Sequence, residues 1–174
     1  MINRNANRIN QMISDLLTST KFAQLQYART NINSLLDETV ELAKDRIELK
    51  HIKLQRSYLK PGSEVFVDSD KMKIAFLNVI VNAVEAMEKD KGILEIQTSE
   101  ANDKCVVDIK DNGTGMDEET LQKLFDPYFT RKTGGNGLGL THTQNIILNH
   151  KGSIIANSRL EQGSVFTITL NIAS

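Results

Sequence analysis

Apolar positions along the chain first recur at heptad spacing. Ile2, Ile9 and Leu16, with Ile13 and Leu17 between them, draw a narrow seam that predicts a helix over residues 1–25. A strip that narrow suits packing on one or two other helices, so it predicts fold-back on the domain, pairing with another chain, or a remnant of a longer helical element. After Phe22 the pattern changes. Leu36, Val40, Ala43 and Ile47 follow a helical face, Ile52 to Arg56 alternates, and Val65-Phe66-Val67 is β-branched and aromatic; this predicts a helix and two strands with a turn at Pro61-Gly62. Asp68 or Ser69 can cap the next helix, whose core face is expected at Ile74, Leu77, Val81 and Val84. Ile93 to Thr98 and Val106 to Ile109 read as neighbouring strands joined by a polar turn. Asp117-Glu118-Glu119 starts a short helix ending near Phe125, and residues 126–136, with Pro127, Gly134 and Gly135, read as a mobile loop. A helix from about Leu138 to Asn149, ended by Gly152, leads into a hairpin of Ser153 to Asn157 and Val165 to Leu170 around Gly163. The order predicts an α+β sandwich: a mixed, mainly antiparallel sheet with helices on one face, preceded by the N-terminal helix.

Composition narrows the function classes. A net charge of -1 gives no reason to expect nucleic acid or an anionic membrane as partner. No apolar run approaches the roughly 20 residues that cross a bilayer, and the polar start Met1-Ile2-Asn3-Arg4-Asn5 is not a signal peptide. The lone cysteine, Cys105, sits in an apolar run; it allows no internal disulfide and reads as a buried structural thiol, which fits a cytoplasmic compartment.

Three segments carry candidate chemistry. Asn78, Asn82 and Glu85 fall on one helical stripe, expected opposite the core face. Two asparagines in mid-helix, where lysine or glutamate would form helix better, suggest a task for the amide, and its neutral oxygen is a hard ligand suited to magnesium. Asp111-Asn112-Gly113-Thr114-Gly115-Met116 follows a strand directly: a carboxylate there can accept from the exocyclic amine of adenine, and the glycines let backbone approach a flat base. A plain turn is the alternative for this segment taken alone. Gly135-Asn136-Gly137-Leu138-Gly139-Leu140 lies where a loop becomes a helix, whose free N–H groups make a phosphate site. It is neither a P-loop nor a dinucleotide fingerprint, lacking the following lysine-serine/threonine pair and the third glycine's spacing.

Together and in this order, the segments resemble the GHKL superfamily, and within it the ATP-binding catalytic domain of bacterial sensor histidine kinases. Leu77 to Ala86 matches the asparagine box, Asp111 to Met116 the first glycine box, Leu124 to Lys132 the phenylalanine box and Gly135 to Leu140 the second glycine box; the resemblance covers residues 30–172. It implies the Bergerat α/β sandwich, with ATP and Mg2+ as cofactors. By the same resemblance Asn82 would ligand Mg2+, Asn78 would assist at the phosphates, and Asp111 would bind the adenine amine with Ser164 helping through a water. Gly113 and Gly115 would line the base pocket, Phe129, Gly135 and Leu138 would contact the nucleotide from the lid, and Gly137 and Gly139 would turn that lid over the phosphates. Lys132 would neutralise phosphate, with Arg131 second.

What the resemblance implies about the whole is a protein histidine kinase: residues 26–174 as the catalytic domain, and residues 1–25 as the second helix of the dimerising hairpin that carries the phosphoacceptor. None of His51, His142 or His150 has the surroundings of that acceptor; all three are expected as surface or cap residues, so the chain reads as a catalytic fragment. The implied partners are the hairpin of the same parent, a response regulator, and a second copy of the parent in a homodimer; membrane attachment of the parent stays open. Hydrolytic relatives such as gyrase carry glutamate at the Asn78 position to activate water, so asparagine here predicts slow hydrolysis. One departure stands out. Where many relatives have lysine this chain has Glu85, expected to point away or to pair with Lys89. Two other readings share the pocket: an anti-sigma-type serine kinase, and a nucleotide-binding regulatory module without transfer activity.

Overall fold

The computed structural model describes residues 25–133 and 135–174. The expected N-terminal helix and its Ile2 to Leu17 seam lie outside the described residues. Helix α1 (Ile32–Leu49) starts where the Asn31 side chain accepts from the N–H groups of Asn33 and Ser34, and it buries the expected Leu36, Val40, Ala43 and Ile47. Helix α2 (Ser69–Ala86) starts on Asp68, whose carboxylate accepts from Lys71 N–H. Its other end is capped from outside: Lys50 Nζ donates to the carbonyls of Val84 (3.0 Å), Glu85 (3.1 Å) and Met87 (2.8 Å), placing a cation on the oxygens at the C-terminal end of the helix.

Five strands form the main sheet: β2 (Lys53–Ser57), β4 (Ile93–Ala101), β5 (Lys104–Asp111), β7 (Ser164–Asn171) and β6 (Ser153–Ser158), in that spatial order. Only the β2–β4 pair is parallel. Period-two alternation turns Leu94 and Ile96, Cys105, Val107 and Ile109, and Phe166, Ile168 and Leu170 to one buried face, which the helices cover. Asp111 is the next inward position after Ile109, so strand register alone delivers its carboxylate to the inner edge of the core, opposite Ser164 of β7. A short helix, α3 (Glu118–Lys123), and a longer one, α4 (Gly139–Asn149), complete the domain. Among the described residues no helix is long and apolar enough to cross a membrane.

Several expectations change. The strands at 52–56 and 65–67 belong to different sheets: β3 (Glu64–Val67) pairs with β1 (Ala28–Asn31), whose residues Ala-Arg-Thr-Asn show no apolar alternation and which is held by backbone pairing. On α2 the buried face is Met72, Ala75, Phe76, Val79, Ile80, Ala83 and Val84, whereas Ile74 is exposed and Leu77 and Val81 are half-buried. At 3.6 residues per turn Ile74, Leu77 and Val81 share the side of Asn78, Asn82 and Glu85, so the two stripes could not be opposite. The end of α4 takes its left-handed residue at Lys151 (φ 56°) and not at Gly152, where a Cβ would stand 2.6 Å from the Thr169 carbonyl. His150 does cap α4, but from inside: it is buried, its Nε2 accepts from Asp68 N–H (3.0 Å) and its Nδ1 donates to the Ile146 carbonyl (2.7 Å). Cys105 is buried as expected, and burial pushes its thiol up to about 11.

Candidate nucleotide site

Helix α2 acts as a ruler along the site. Its last carbonyl, Ala86, accepts from Thr114 N–H at 3.1 Å, and a Cβ on Gly113 would come within 2.5 Å of the same oxygen. One turn back lies Asn82 and one further Asn78, so the three levels span about 12 Å at 1.5 Å per residue. Each level meets a different candidate segment: the first glycine turn at Ala86, the lid at Asn82, and the start of α4 at Asn78.

At the sheet end, Asp111 is buried and its Oδ1 accepts from Gly113 N–H at 2.8 Å. Burial holds its carboxyl above the ordinary range, while the backbone N–H groups of Gly113 and Ser164 pull the other way. Ser164 is buried beside it, with Oγ 2.9 Å from Ser158 Oγ; Ser158 in turn accepts from Met116 N–H (2.8 Å) and donates to the Gly163 carbonyl (2.9 Å). Gly115 sits at φ 64°, and a Cβ there would be 1.9 Å from the Arg159 carbonyl. The glycines at 113 and 115 are therefore fixed by approach of the protein's own backbone, a stronger constraint than the close approach of a base that their sequence suggests.

At the middle level Lys132 Nζ donates to Asn82 Oδ1 at 2.6 Å and also meets Glu85 Oε2. Glu85 Oε1 is 3.4 Å from Arg46 Nη1 of α1. The expected pairing of Glu85 with Lys89 does not form, because α2 ends at Ala86 and Met87 is extended (ψ 148°), so no i,i+4 geometry exists there. Arg131 turns the other way: its Nη1 donates to Asp117 Oδ2 at 2.8 Å, at the start of α3. Asp117 also accepts from Thr120, and the Thr120 hydroxyl, the Thr120 N–H and Arg131 hold its carboxyl down at about 2. Of the two lid cations, Lys132 alone is placed on the asparagine stripe.

At the far level Asn78 Nδ2 donates to the Gly139 carbonyl (3.2 Å) and to Thr143 Oγ1 (3.1 Å), tying α2 to the first turn of α4. Leu138, the N-cap of α4, offers no side-chain cap, and among the described residues no atom outside the local turn of helix lies within 4 Å of a Cβ built on the exposed Gly139. Gly135 is exposed on the lid, and Gly137 (φ 70°) folds the lid tightly, since a Cβ would be 2.4 Å from Tyr128 C and Tyr128 N–H donates to the Gly137 carbonyl at 3.0 Å. Phe129 is half-buried on the same lid.

This geometry fits the expected ligands. An uncapped N-terminus of an 11-residue helix suits phosphate, and an amide oxygen that already accepts from a cation suits a metal ion. Among the described residues no three His, Cys, Asp or Glu side chains converge on a metal position. Thr143, Ser158, Lys50 and Arg46 were missed by sequence reasoning. Thr143 and Ser158 carry the weak signal of polar residues in otherwise apolar elements; the two cations carried none, being ordinary surface types.

Residues 67–174 match the family described as histidine kinase-, DNA gyrase B-, and HSP90-like ATPase. The sensor histidine kinase ZraS of Klebsiella oxytoca is 34% identical over 170 residues, covering 97% of this chain and 37% of that protein. Sporulation kinase B of Bacillus subtilis (strain 168) is 32% identical over 163 residues, covering 94% and 38%. The chain thus spans well under half the length of these relatives. The solved catalytic domain of histidine kinase ThkA superposes with a TM-score of 0.77 at 29% identity, over 84% of this chain and 96% of that one. Histidine kinase ThkA in complex with response regulator protein TrrA gives 0.81 at 26% identity, over 99% and 49%. With fold, box order and family match in agreement, the chain belongs to the histidine kinase-, DNA gyrase B-, and HSP90-like ATPase family.

Proposed function

We propose that this domain binds Mg2+·ATP along α2 and presents the γ-phosphoryl to a histidine on a helical hairpin of its parent protein. The observation that carries the reading is the alignment along one helix: a buried carboxylate beside its end, then Asn82, then Asn78 against an uncapped helix start. Asp111 would accept from the adenine amine, with Ser164 in support. Gly113 and Gly115 shape the base end, and Phe129, Gly135, Gly137, Leu138 and Gly139 shape the lid and the phosphate end. Asn82 would hold the magnesium ion, which when bound neutralises phosphate charge. Lys132 would add a positive charge to the leaving side, while Arg131 anchors the lid to α3.

Such a site contributes placement and electrostatics, the main needs of phosphoryl transfer. Asn78 supplies no general base: it has no basic side-chain atom, and its amide donates to Gly139 and Thr143. A response regulator would take the phosphoryl onward, and residues 1–25 would join a homodimeric hairpin on the cytoplasmic side. The kinase names of the relatives and the intact phosphate end weigh against a transfer-free regulatory module. Equilibrium titration should show ATP binding at least about tenfold tighter than GTP, because GTP offers a carbonyl where Asp111 needs a donor. Hydrolysis should stay near background. Rapid Mg2+-dependent turnover by this chain alone, or equal affinity for the two nucleotides, would contradict the assignment.

A further inference from the structure

Glu85 joins three elements at one carboxylate: α2 that bears it, α1 through Arg46, and the lid through Lys132. Lys132 Nζ bridges Glu85 Oε2 and Asn82 Oδ1, the latter at 2.6 Å. An ammonium has donors only, so it donates to the same kind of oxygen that a divalent ion takes as ligand. Lys132 already sits 2.6 Å from Asn82 Oδ1, and a metal ion on the other lone pair of the same oxygen would stand within a few ångströms of its ammonium; repulsion between the two positive charges sets the two occupancies against one another.

We propose that Lys132 and the divalent ion compete for Asn82 Oδ1, and that Glu85 sets the balance by holding the ammonium in place. Glu85 is then a positioning residue that acts as a brake on magnesium-nucleotide loading. The inference rests on the reading of Asn82 as the magnesium ligand. Exchange has a useful direction: the arriving ion displaces Lys132 from the amide, and the freed ammonium becomes available to phosphate, so one cation swap couples metal entry to a phosphate contact. Arg46 stays beside Glu85 when Lys132 turns to phosphate, so the carboxylate keeps one positive partner in the loaded state. The Glu85 and Lys132 side chains are 41% and 48% exposed, which limits the hold through solvent screening. The expected effect is therefore severalfold and not hundredfold, by the fraction of molecules in which the amide is free.

The test titrates Mg2+ against binding of a fluorescent ATP analogue to the chain and its variants. Glu85→Gln should lower the Mg2+ concentration for half-maximal binding by about fivefold, with analogue affinity at saturating Mg2+ unchanged within about twofold. Lys132→Met should lower the Mg2+ requirement as well, but should weaken binding at saturating Mg2+ by loss of its phosphate contact. A half-point in Glu85→Gln that is unchanged overturns the proposal; one that rises overturns it in favour of Glu85 assisting the metal. Asn82→Ala separates the two levels. If it abolishes the Mg2+ dependence while Glu85→Gln has no effect, only the competition fails. If binding ignores Mg2+, or the dependence survives Asn82→Ala, the assignment of Asn82 falls and the competition with it.

Discussion

Asp111→Asn is expected to weaken ATP binding by a factor on the order of 100 while leaving the folded domain about as stable as before. The two halves of this result have different causes. Among the described residues Asp111 brings the carboxyl to the buried end of the site, and a charge-assisted bond from the adenine amine to its carboxylate form is worth roughly 1.5–3 kcal/mol, most of which an amide forfeits. For stability, burial already disfavours the charged carboxyl, so its folded form binds a proton more readily than the unfolded chain does. A carboxyl raised on folding costs stability at neutral pH, and that cost is relieved as pH falls through the raised value. Asparagine removes the cost and still accepts from Gly113 N–H, but it can lose the Ser164 N–H; the opposed effects leave a net change of about 1 kcal/mol or less. Calorimetric binding paired with thermal unfolding checks both. Loss of binding together with collapse of the fold would show Asp111 to be a structural residue.

Gly115→Ala is expected to destabilise the domain by about 3 kcal/mol, lowering the unfolding midpoint by roughly 10 °C. A Cβ would sit 1.9 Å from the Arg159 carbonyl at a backbone φ of 64°, so the alanine meets both a steric overlap that only backbone movement relieves and an unfavourable dihedral. Moving that turn also shifts the Glu161 N–H to Thr114 carbonyl bond (2.7 Å), which closes the first glycine box onto the β6–β7 hairpin. Gly139→Ala is the matched control. Among the described residues nothing outside the local turn of helix lies within 4 Å of the added Cβ, and the position opens α4, so stability should hold or rise slightly. Equal losses at the two positions in urea unfolding would contradict this account of the glycines.

Much of the fold was legible because its signals are local and periodic. The 4-3-4 spacing of α1, the capping role of Asp68 and the alternation of β4, β5 and β7 each state their own burial. The candidate site was legible as box order, because strand register carries Asp111 inward and helical periodicity aligns Asn78 with Asn82. What escaped depends on contacts between distant segments. Strand β1 is recognisable only by its partner β3, a segment distant in the chain on which Ala28 pairs with Val67 and Asn31 with Glu64. Pairing of Glu85 with Lys132 joins residues 47 apart, and no rule of local spacing reports it. The misplaced face of α2 was a different failure: an apolar residue was taken as a buried one, although Ile74 is exposed and the small Ala75 and Ala83 are core.

The central claim is transfer of phosphoryl, and its most direct measurement uses γ-labelled ATP with Mg2+, this chain, and the histidine-bearing helical hairpin of the parent protein supplied in trans. The account predicts label on the hairpin that is acid-labile and base-stable, and that disappears with Asn82→Ala and with Asp111→Ala. ATP binding without any label on a folded hairpin, or label that survives acid as a serine phosphate would, contradicts it.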